Sequence, residues 1–156
     1  MEKHILAGNN TSEGFCNYFD YIINPEEADR IYIIKGGPGV GKSSFMKKIT
    51  QFFAQKGVFI EYIHCSTDYN SLDGIHIPDY KFAMVDGTPP HLVEAKFPGL
   101  VEKVLDFGNY LDGDLLKKYR KEIIDINKEK SRLYKAGYRH LEVAGILLNE
   151  NSQIYN

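Results

Sequence analysis

A glycine-rich segment of eight residues constrains the fold of this chain more than any other feature. Residues 36–43 read GGPGVGKS and match the pattern G-x-x-x-x-G-K-[ST] at every fixed position. A β-branched run, Arg30–Lys35, precedes the segment, and an amphipathic helical pattern begins at Ser43 and ends near Gly57. Because a strand before the loop and a helix after it are the context that this motif requires, the sequence predicts a phosphate-binding loop.

Each residue type in this loop has a physical role. Backbone N–H groups of a glycine-rich loop turn toward phosphate oxygens, and the N-terminal end of the following helix adds a positive field. Lys42 is expected to neutralise charge on the β- and γ-phosphates, and the hydroxyl of Ser43 is expected to coordinate Mg²⁺. The predicted nucleotide-binding residues are Gly36, Gly37, Pro38, Gly39, Val40, Gly41, Lys42, Ser43 and Ser44.

A second hydrophobic segment supplies an anchor for the metal. Residues 82–86 read FAMVD, so that an aspartate ends an apolar strand, as in the Walker B pattern. Asp86 is therefore the predicted second Mg²⁺ ligand and, with Lys42 and Asp68, one of three predicted catalytic residues. Gly87 follows Asp86, where many motor-type ATPases have a glutamate that activates water, so the general base is expected elsewhere.

Several residues are candidates for that base or for a transition-state cation. Asp68 follows a predicted strand at the sheet edge where ligands bind, although an Asx turn would explain it equally well. Cys65 and His64 are interpreted as a small buried side chain and a strand-end residue. The remaining candidates are Asp73, His91 and Glu94 near the same edge, and the cations Arg132 and Arg139 on a basic helix.

Strands and helices alternate along the first part of the chain. Strands are predicted at residues 30–35, 58–64 and 81–86. Because a helix separates the first two, the crossover should be right-handed and the sheet parallel. The polar stretch of residues 65–80 is predicted to be a long connection at the carboxyl edge of the sheet, where it could carry function.

The second part of the chain is predicted to be helical. A short helix is expected near residues 100–107, and a long helical pattern runs from Asp114, its expected N-cap, towards Leu148 with no further strand. The predicted fold class is α/β: a three-layer P-loop NTPase fold with a parallel sheet and a long helical C-terminal portion.

The long helix carries an apolar seam and a basic surface. Residues spaced alternately by three and four form the seam: Leu116, Tyr119, Ile123, Ile126, Lys130, Leu133 and Gly137. Such a seam fits packing on the sheet, antiparallel packing against another helix, or a surface for a second copy of the chain. Residues 114–140 contain nine Lys and Arg against four Asp and Glu. This basic face is interpreted either as a solvated surface or as a lid or partner surface that meets phosphates.

Length and composition exclude several classes of protein. A length of 156 residues suits a single nucleotide-binding domain, with an α/β core at residues 1–110 and a helical extension at 111–156. The net charge of −2 argues against DNA binding, and no apolar run approaches the ~18–20 residues that span a bilayer. Two cysteines without a CxxC spacing are expected to be reduced thiols, which predicts a cytoplasmic protein.

Several short motifs outside the loop contribute to a family resemblance. They are GNNTSEGF at residues 8–15, HCSTD at 64–68, SLDG at 71–74, IP at 77–78 and DGTPPH at 86–91. Together with the glycine-rich loop they resemble a family of bacterial P-loop ATPases found in Firmicutes, over most of the chain. The resemblance implies that residues 36–43 bind a nucleoside triphosphate and that Asp86 assists Mg²⁺. It also implies that the chain matches the first of two P-loop modules, so a second module or a homodimer is an expected partner.

Three functions fit these observations. The first is binding of Mg²⁺-ATP and its slow hydrolysis to drive a conformational change. The second is a kinase of a small molecule or nucleotide, with Asp68 as the base and residues 65–80 as the acceptor pocket. The third is a nucleotide-binding interaction module without turnover. ATP is the expected nucleotide because the chain has no Asn-Lys-x-Asp guanine motif.

Overall fold

Residues 1–154 are described by the structure, a computed structural model, and they form eight strands and three α-helices. The strands are β1 (Glu2–Ile5), β2 (Gly8–Thr11), β3 (Gly14–Asn17), β4 (Arg30–Lys35), β5 (Ile60–His64), β6 (Leu72–Ile77), β7 (Phe82–Asp86) and β8 (Glu102–Asp106). The helices are α1 (Lys42–Ala54), α2 (Gly113–Lys118) and α3 (Arg120–Ile154). The chain divides into two units, the first containing residues 1–9 and 17–111 and the second residues 10–16 and the chain from Asp112 onward.

The first unit is built around a six-stranded sheet with the order β1-β5-β6-β7-β4-β8. Strand β4 lies between β7 and β8 and runs parallel to both, and β1 runs parallel to β5. Strand β6 runs antiparallel to its neighbours β5 and β7. The chain is therefore an α/β protein with a mostly parallel sheet and a long C-terminal helix.

Three predicted strands and the helix after the loop are present as β4, β5, β7 and α1. The prediction of a wholly parallel sheet, and of an open connection at residues 65–80, is wrong because β6 lies within that stretch. Residues 78–81, which join β6 to β7, are too few to cross the sheet. A parallel connection needs roughly a dozen residues or more, so the two strands pair as antiparallel neighbours.

The alternating side chains of β4 divide the first unit into two cores. Ile31 and Ile33 pack with Phe19 on one face of the sheet, and Ile34 packs with Met46 of α1 on the other. Helix α1 thus covers one face. On the opposite face, irregular chain and a short 3-10 helix (Phe19–Tyr21) take the place of the helical layer that a three-layer fold would have within this unit.

The prediction of a short helix at residues 100–107 is wrong at residues 102–106. They form β8, which pairs with β4 in parallel register and is followed by a 3-10 helix at Phe107–Tyr110. The apolar residues in this run fit a helical period as well as a strand: Leu100, Val101, Val104 and Leu105. Pairing with β4, which is distant in sequence, decides in favour of the strand.

The start of the C-terminal helical region is also shifted from the prediction. Asp112 is the N-cap, and its Oδ1 accepts hydrogen bonds from the N–H groups of Asp114 (3.1 Å) and Leu115 (2.9 Å). Asp114, the expected N-cap, is instead in the first turn of α2. The helical region breaks at Tyr119, which separates α2 from α3.

The second unit combines α3 with the tip of the β2–β3 hairpin. The hydroxyl of Tyr138 donates to Asn10 Oδ1 at 2.6 Å, and a Cβ on Gly145 would lie 2.7 Å from Ser12 Cβ. Much of the predicted apolar seam is exposed, including Ile126 and Leu133. Within residues 1–154, no helix combines the length and apolar character that crossing a membrane requires.

A charged cluster joins β1, β5 and β6, and it predicts a pH-dependent stability. Glu61 accepts hydrogen bonds from Lys3 (2.8 Å) and His76 (2.7 Å). Burial alone would raise the pKa of Glu61, but the hydrogen bonds and charges of Lys3 and His76 outweigh it and hold the pKa below its ordinary value of 4.5. Because the folded pKa is depressed, this stabilisation is present above about pH 4.5 and is lost as the pH falls through the folded pKa.

We therefore expect Glu61→Gln to lower the free energy of unfolding at pH 7. The difference from the wild type should shrink as the pH falls below 4.5, and denaturant unfolding over a pH series measures it. Glu129→Gln is the matched control, because Glu129 pairs with Arg132 on the exposed surface of α3 and should give no measurable change. A difference between Glu61→Gln and wild type that is constant from pH 3 to 7 would contradict this account.

Candidate functional site

The glycine-rich loop and Asp86 lie at the same edge of the sheet. Strand β4 ends at Lys35, the loop follows, and α1 begins at Lys42. Strand β7 is the direct neighbour of β4, and Ile34 lies opposite Asp86 in the register of the two strands. Because the strands are parallel, their carboxyl ends place the loop beside the aspartate, at the edge where open α/β sheets bind ligands.

Two glycines of the loop are required by its conformation. Gly41 has a φ of 97° and is the N-cap of α1, so the helix begins without a side chain over its first N–H groups. A Cβ at Gly36 would lie 3.0 Å from both Phe107 Cβ and Val40 Cγ1. The first N–H groups of a helix lack intrahelical acceptors, and together with the helix dipole they favour a bound anion.

Lys42 is held between the loop and Asp86. Its Nζ donates to the carbonyl oxygens of Gly36 (2.6 Å) and Gly37 (3.1 Å) and lies 3.4 Å from Asp86 Oδ2. The side chains of Lys42 and Asp86 are 11% and 13% exposed, so the charges interact in a medium less polar than water. An ammonium held by neutral carbonyls can exchange them for phosphate oxygens, which form stronger charge-assisted hydrogen bonds.

Asp86 is fixed by the turn that follows it. Its Oδ1 accepts a hydrogen bond from the N–H of Thr88 at 2.8 Å, and the hydroxyl of Thr88 donates to the carbonyl of Gly36 at 3.0 Å. Thr88 therefore joins the end of β7 to the loop. Sequence reasoning missed this role, although the position of Thr88 two residues after a strand-end aspartate is typical of an Asx turn.

A cavity of about 410 Å³ lies over the loop, a volume typical of small-molecule sites. The predicted residues Pro38 to Ser44 line it, together with Asp86 and Thr88. Gly36 and Gly37 contribute the carbonyls that hold Lys42. Leu72, which sequence reasoning also missed, donates its N–H to Ser43 Oγ at 2.9 Å and so orients that hydroxyl.

Asp68, one of the three predicted catalytic residues, has a local role, and so do Glu94 and His64. Asp68 is exposed, and its Oδ1 accepts from the N–H of Asn70 at 3.0 Å, which is the Asx turn considered above. Glu94 pairs with Lys35 at 2.6 Å. His64 bonds through Nδ1 to the carbonyl of Tyr69 at 2.6 Å and stacks on the ring of the same residue. Arg132 and Arg139 belong to α3 in the second unit.

Three other candidates come together at the cavity. His91 and Cys65 line it, and His91 Nε2 lies 3.0 Å from Asp73 Oδ2, with both residues of this pair buried. Burial raises the pKa of the Cys65 thiol, and the carboxylate of Asp73 raises it further, although hydrogen bonds from the backbone of Thr67 and Asp68 act in the opposite direction. A raised thiol pKa agrees with the interpretation of Cys65 as a packing residue and disfavours a nucleophile.

Ser43 and Asp86 fit the donor set that Mg²⁺ needs at a phosphate site. Both line the cavity, and both supply oxygen, the preferred ligand of Mg²⁺. Among residues 1–154, no cluster of three or more His, Cys, Asp or Glu residues could hold a metal ion. Mg²⁺ that arrives with a nucleotide is bound through one or two protein oxygens, with phosphates and waters completing the shell, and this pair suits that mode.

Comparisons of the chain with protein-family models, with curated proteins and with solved structures found no match.

Proposed function

We propose that this chain is a P-loop NTPase module that binds Mg²⁺-ATP and hydrolyses it slowly to drive a conformational change. The observation that carries the proposal is the meeting of Lys42, Ser43 and Asp86 in one cavity that the glycine-rich loop lines. The order of strand, loop and helix, with an aspartate ending the adjacent parallel strand, supports a P-loop NTPase fold.

The residues of the site have distinct roles in this proposal. The N–H groups at the start of α1 hold phosphate oxygens, and Lys42 neutralises charge on the β- and γ-phosphates as it builds up in the transition state. Ser43 and Asp86 would hold Mg²⁺, which when bound neutralises phosphate charge and orients the triphosphate. The site would thus stabilise the negative charge of the transferring phosphoryl group and position the phosphates, which are the main contributions of a protein to phosphoryl transfer.

Hydrolysis is favoured over transfer to a second substrate. The kinase alternative used Asp68 as the base and residues 65–80 as an open acceptor pocket. Asp68 is exposed in a turn, and residues 72–77 of that stretch form β6 in the interior of the sheet. We extend the proposal to a homodimer or a second P-loop module as the partner, on the family resemblance alone.

The first test is a thermal melt of the chain with and without Mg²⁺-ATP, followed by product analysis. Ligand at ~100 times its dissociation constant should add roughly 2.7 kcal/mol to the unfolding free energy, a rise in melting temperature of roughly 5–10 °C for a chain of this size. Free phosphate should then appear without an added acceptor. Phosphate that appears only on an added small molecule or nucleotide would identify a kinase. Intact ATP after hours would identify a binding module, and no thermal shift would overturn the nucleotide site.

A further inference from the structure

Thr88 places a hydroxyl at the nucleotide cavity, where it shares an acceptor with the ammonium of Lys42. The hydroxyl donates to the carbonyl oxygen of Gly36 at 3.0 Å, and Lys42 Nζ donates to the same oxygen at 2.6 Å. Thr88 also lines the cavity over the loop. A neutral donor and a charged donor therefore lie within hydrogen-bond distance of one oxygen, in the region where the proposed function puts phosphate charge.

The backbone of the turn after β7 holds Thr88 without help from its hydroxyl. The N–H of Thr88 donates to Asp86 Oδ1 at 2.8 Å, and its carbonyl accepts from the N–H of His91 at 3.1 Å. The turn also packs closely on β4, because a Cβ on Gly87 would lie 2.5 Å from Ile33 Cγ2. The hydroxyl of Thr88 can thus change its partner while the turn keeps its conformation.

The position of Thr88 favours the γ-phosphate over the other two phosphates. In a phosphate-binding loop the backbone N–H groups hold the α- and β-phosphates, and the lysine reaches the β- and γ-phosphates. Thr88 is outside the loop, and it shares an acceptor with Lys42 and follows Asp86, the proposed Mg²⁺ ligand, by two residues. A donor beside both the lysine and the metal ligand is placed for the terminal phosphoryl group, which they would stabilise together.

The hydroxyl can exchange Gly36 for a phosphate oxygen. Rotation about the Cβ–Oγ1 bond of Thr88 redirects the hydrogen while the oxygen stays in place. Lys42 has three N–H donors and can keep one of them on Gly36, so the carbonyl retains a partner. A hydrogen bond to a charged acceptor is roughly twice as strong as one between neutral groups, so the exchange favours the phosphate.

We propose that Thr88 distinguishes ATP from ADP by donating its hydroxyl hydrogen to an oxygen of the γ-phosphate; this inference rests on the proposed function. With ADP bound, the hydroxyl stays on Gly36 and joins the loop to the turn that begins at Asp86. With ATP bound, the hydroxyl moves to the γ-phosphate and this link between loop and turn opens. The link closes again when hydrolysis releases phosphate, so the proposed conformational change begins at this hydrogen bond.

Thr88→Val tests the inference, because valine keeps the shape of the side chain and the backbone bonds of the turn but has no hydroxyl. The affinity for a non-hydrolysable ATP analogue with Mg²⁺ should fall ~5–20-fold, the difference between a hydrogen bond to a charged oxygen and one to a neutral carbonyl. The affinity for Mg²⁺-ADP should change less than about twofold, because the hydroxyl has the same partner with and without ADP. Isothermal titration calorimetry measures both affinities.

Two further variants separate the γ-phosphate contact from a structural role. Thr88→Ser retains the hydroxyl, so both affinities should stay within about threefold of the wild type. Thr50→Val is the matched control: the hydroxyl of Thr50 also donates to a carbonyl, that of Lys47 at 2.9 Å on α1, but Thr50 does not line the cavity, so both affinities should stay within about twofold.

The outcomes for Thr88→Val distinguish the inference from the proposed function. If the affinities for the ATP analogue and for ADP fall by the same factor, Thr88 only supports the loop, and the inference is overturned while the nucleotide site remains. An unchanged affinity for the ATP analogue overturns it in the same way. If the wild type binds neither nucleotide, the proposed function fails and the assignment of Thr88 fails with it.

Discussion

Replacing Lys42 with methionine is expected to reduce turnover of Mg²⁺-ATP by at least about 100-fold. Methionine keeps the apolar stem of the side chain and removes the ammonium that holds Gly36, Gly37 and Asp86. Removal of a single preorganised donor to developing charge typically costs ~10²–10³ in rate. Affinity for ATP should also fall, because the charge on the triphosphate loses its nearest cation while the Asp86 carboxylate remains. Phosphate release and titration with a fluorescent ATP analogue measure the two effects.

Lys48→Met is the control for that experiment. Lys48 is on the same helix, six residues further along, and its side chain is exposed, so the substitution changes the same net charge without touching the cavity. Its turnover should match the wild type within about twofold. Equal turnover rates and equal ATP affinities for the wild type and Lys42→Met would contradict a phosphate-binding role for the loop, whatever the result for Lys48→Met.

The elements around the loop could be predicted from the sequence because their signals are local. Residues 30–35 alternate side chains between two cores, and the loop and α1 follow in fixed order, so a short window carries the information. The adjacency of β4 and β7, which brings Asp86 to Lys42, is not local. The sequence signals it only through the Walker B pattern that ends in Asp86, and the register of Ile34 with Asp86 shows that the two strands are neighbours.

Strand β6 was missed because its sequence violates the usual strand signals. It contains Asp73 and Gly74 and is followed at once by Pro78, which together are typical of a loop. The structure explains two of these residues. Asp73 is buried against His91, and Gly74 is needed because a Cβ there would lie 3.2 Å from the carbonyl oxygen of Met84. Such a strand is stabilised by partners distant in sequence, so propensity carries little information about it.

The phosphate-binding residues of the site could be predicted from the sequence, but the buried pair of Asp73 and His91 at the cavity could not. The loop residues belong to the glycine-rich motif, and Asp86 belongs to the Walker B pattern, so each lies in a short stretch of sequence that can be recognised by itself. Asp73 is on β6 and His91 lies eighteen residues later, in the chain after β7, and the antiparallel pairing of β6 with β7 brings these two segments close together. Asp68 lies four residues after the end of β5, at the expected edge of the sheet, but its carboxylate is used in a local turn.

Replacing Asp86 with asparagine is expected to abolish the Mg²⁺ dependence of nucleotide binding and to reduce turnover by ~10²–10³-fold. Asparagine keeps an Oδ1 that can accept the hydrogen bond from the N–H of Thr88, so the turn is preserved. It removes the negative charge of the carboxylate, which lies beside Lys42 and would bind Mg²⁺. A metal that polarises a phosphoryl oxygen is worth several kcal/mol, which sets the size of the rate effect. Titration of an ATP analogue with and without Mg²⁺ should give nearly equal affinities for this variant and different ones for the wild type.

Asp106→Asn and a double-mutant cycle separate metal binding from stability. Asp106 ends β8 on the other side of β4 and accepts the N–H of Gly108 at 2.7 Å, the same local geometry as Asp86, but its side chain is exposed and forms no part of the cavity wall. Asp106→Asn should therefore keep the Mg²⁺ dependence of nucleotide binding.

Without nucleotide, Lys42→Met and Asp86→Asn each leave one charge buried alone. The double variant should therefore be more stable than the sum of the two single losses in unfolding free energy implies, by ~1–3 kcal/mol. Strict additivity, with Mg²⁺ dependence intact in Asp86→Asn, would show that the two side chains do not act as one site.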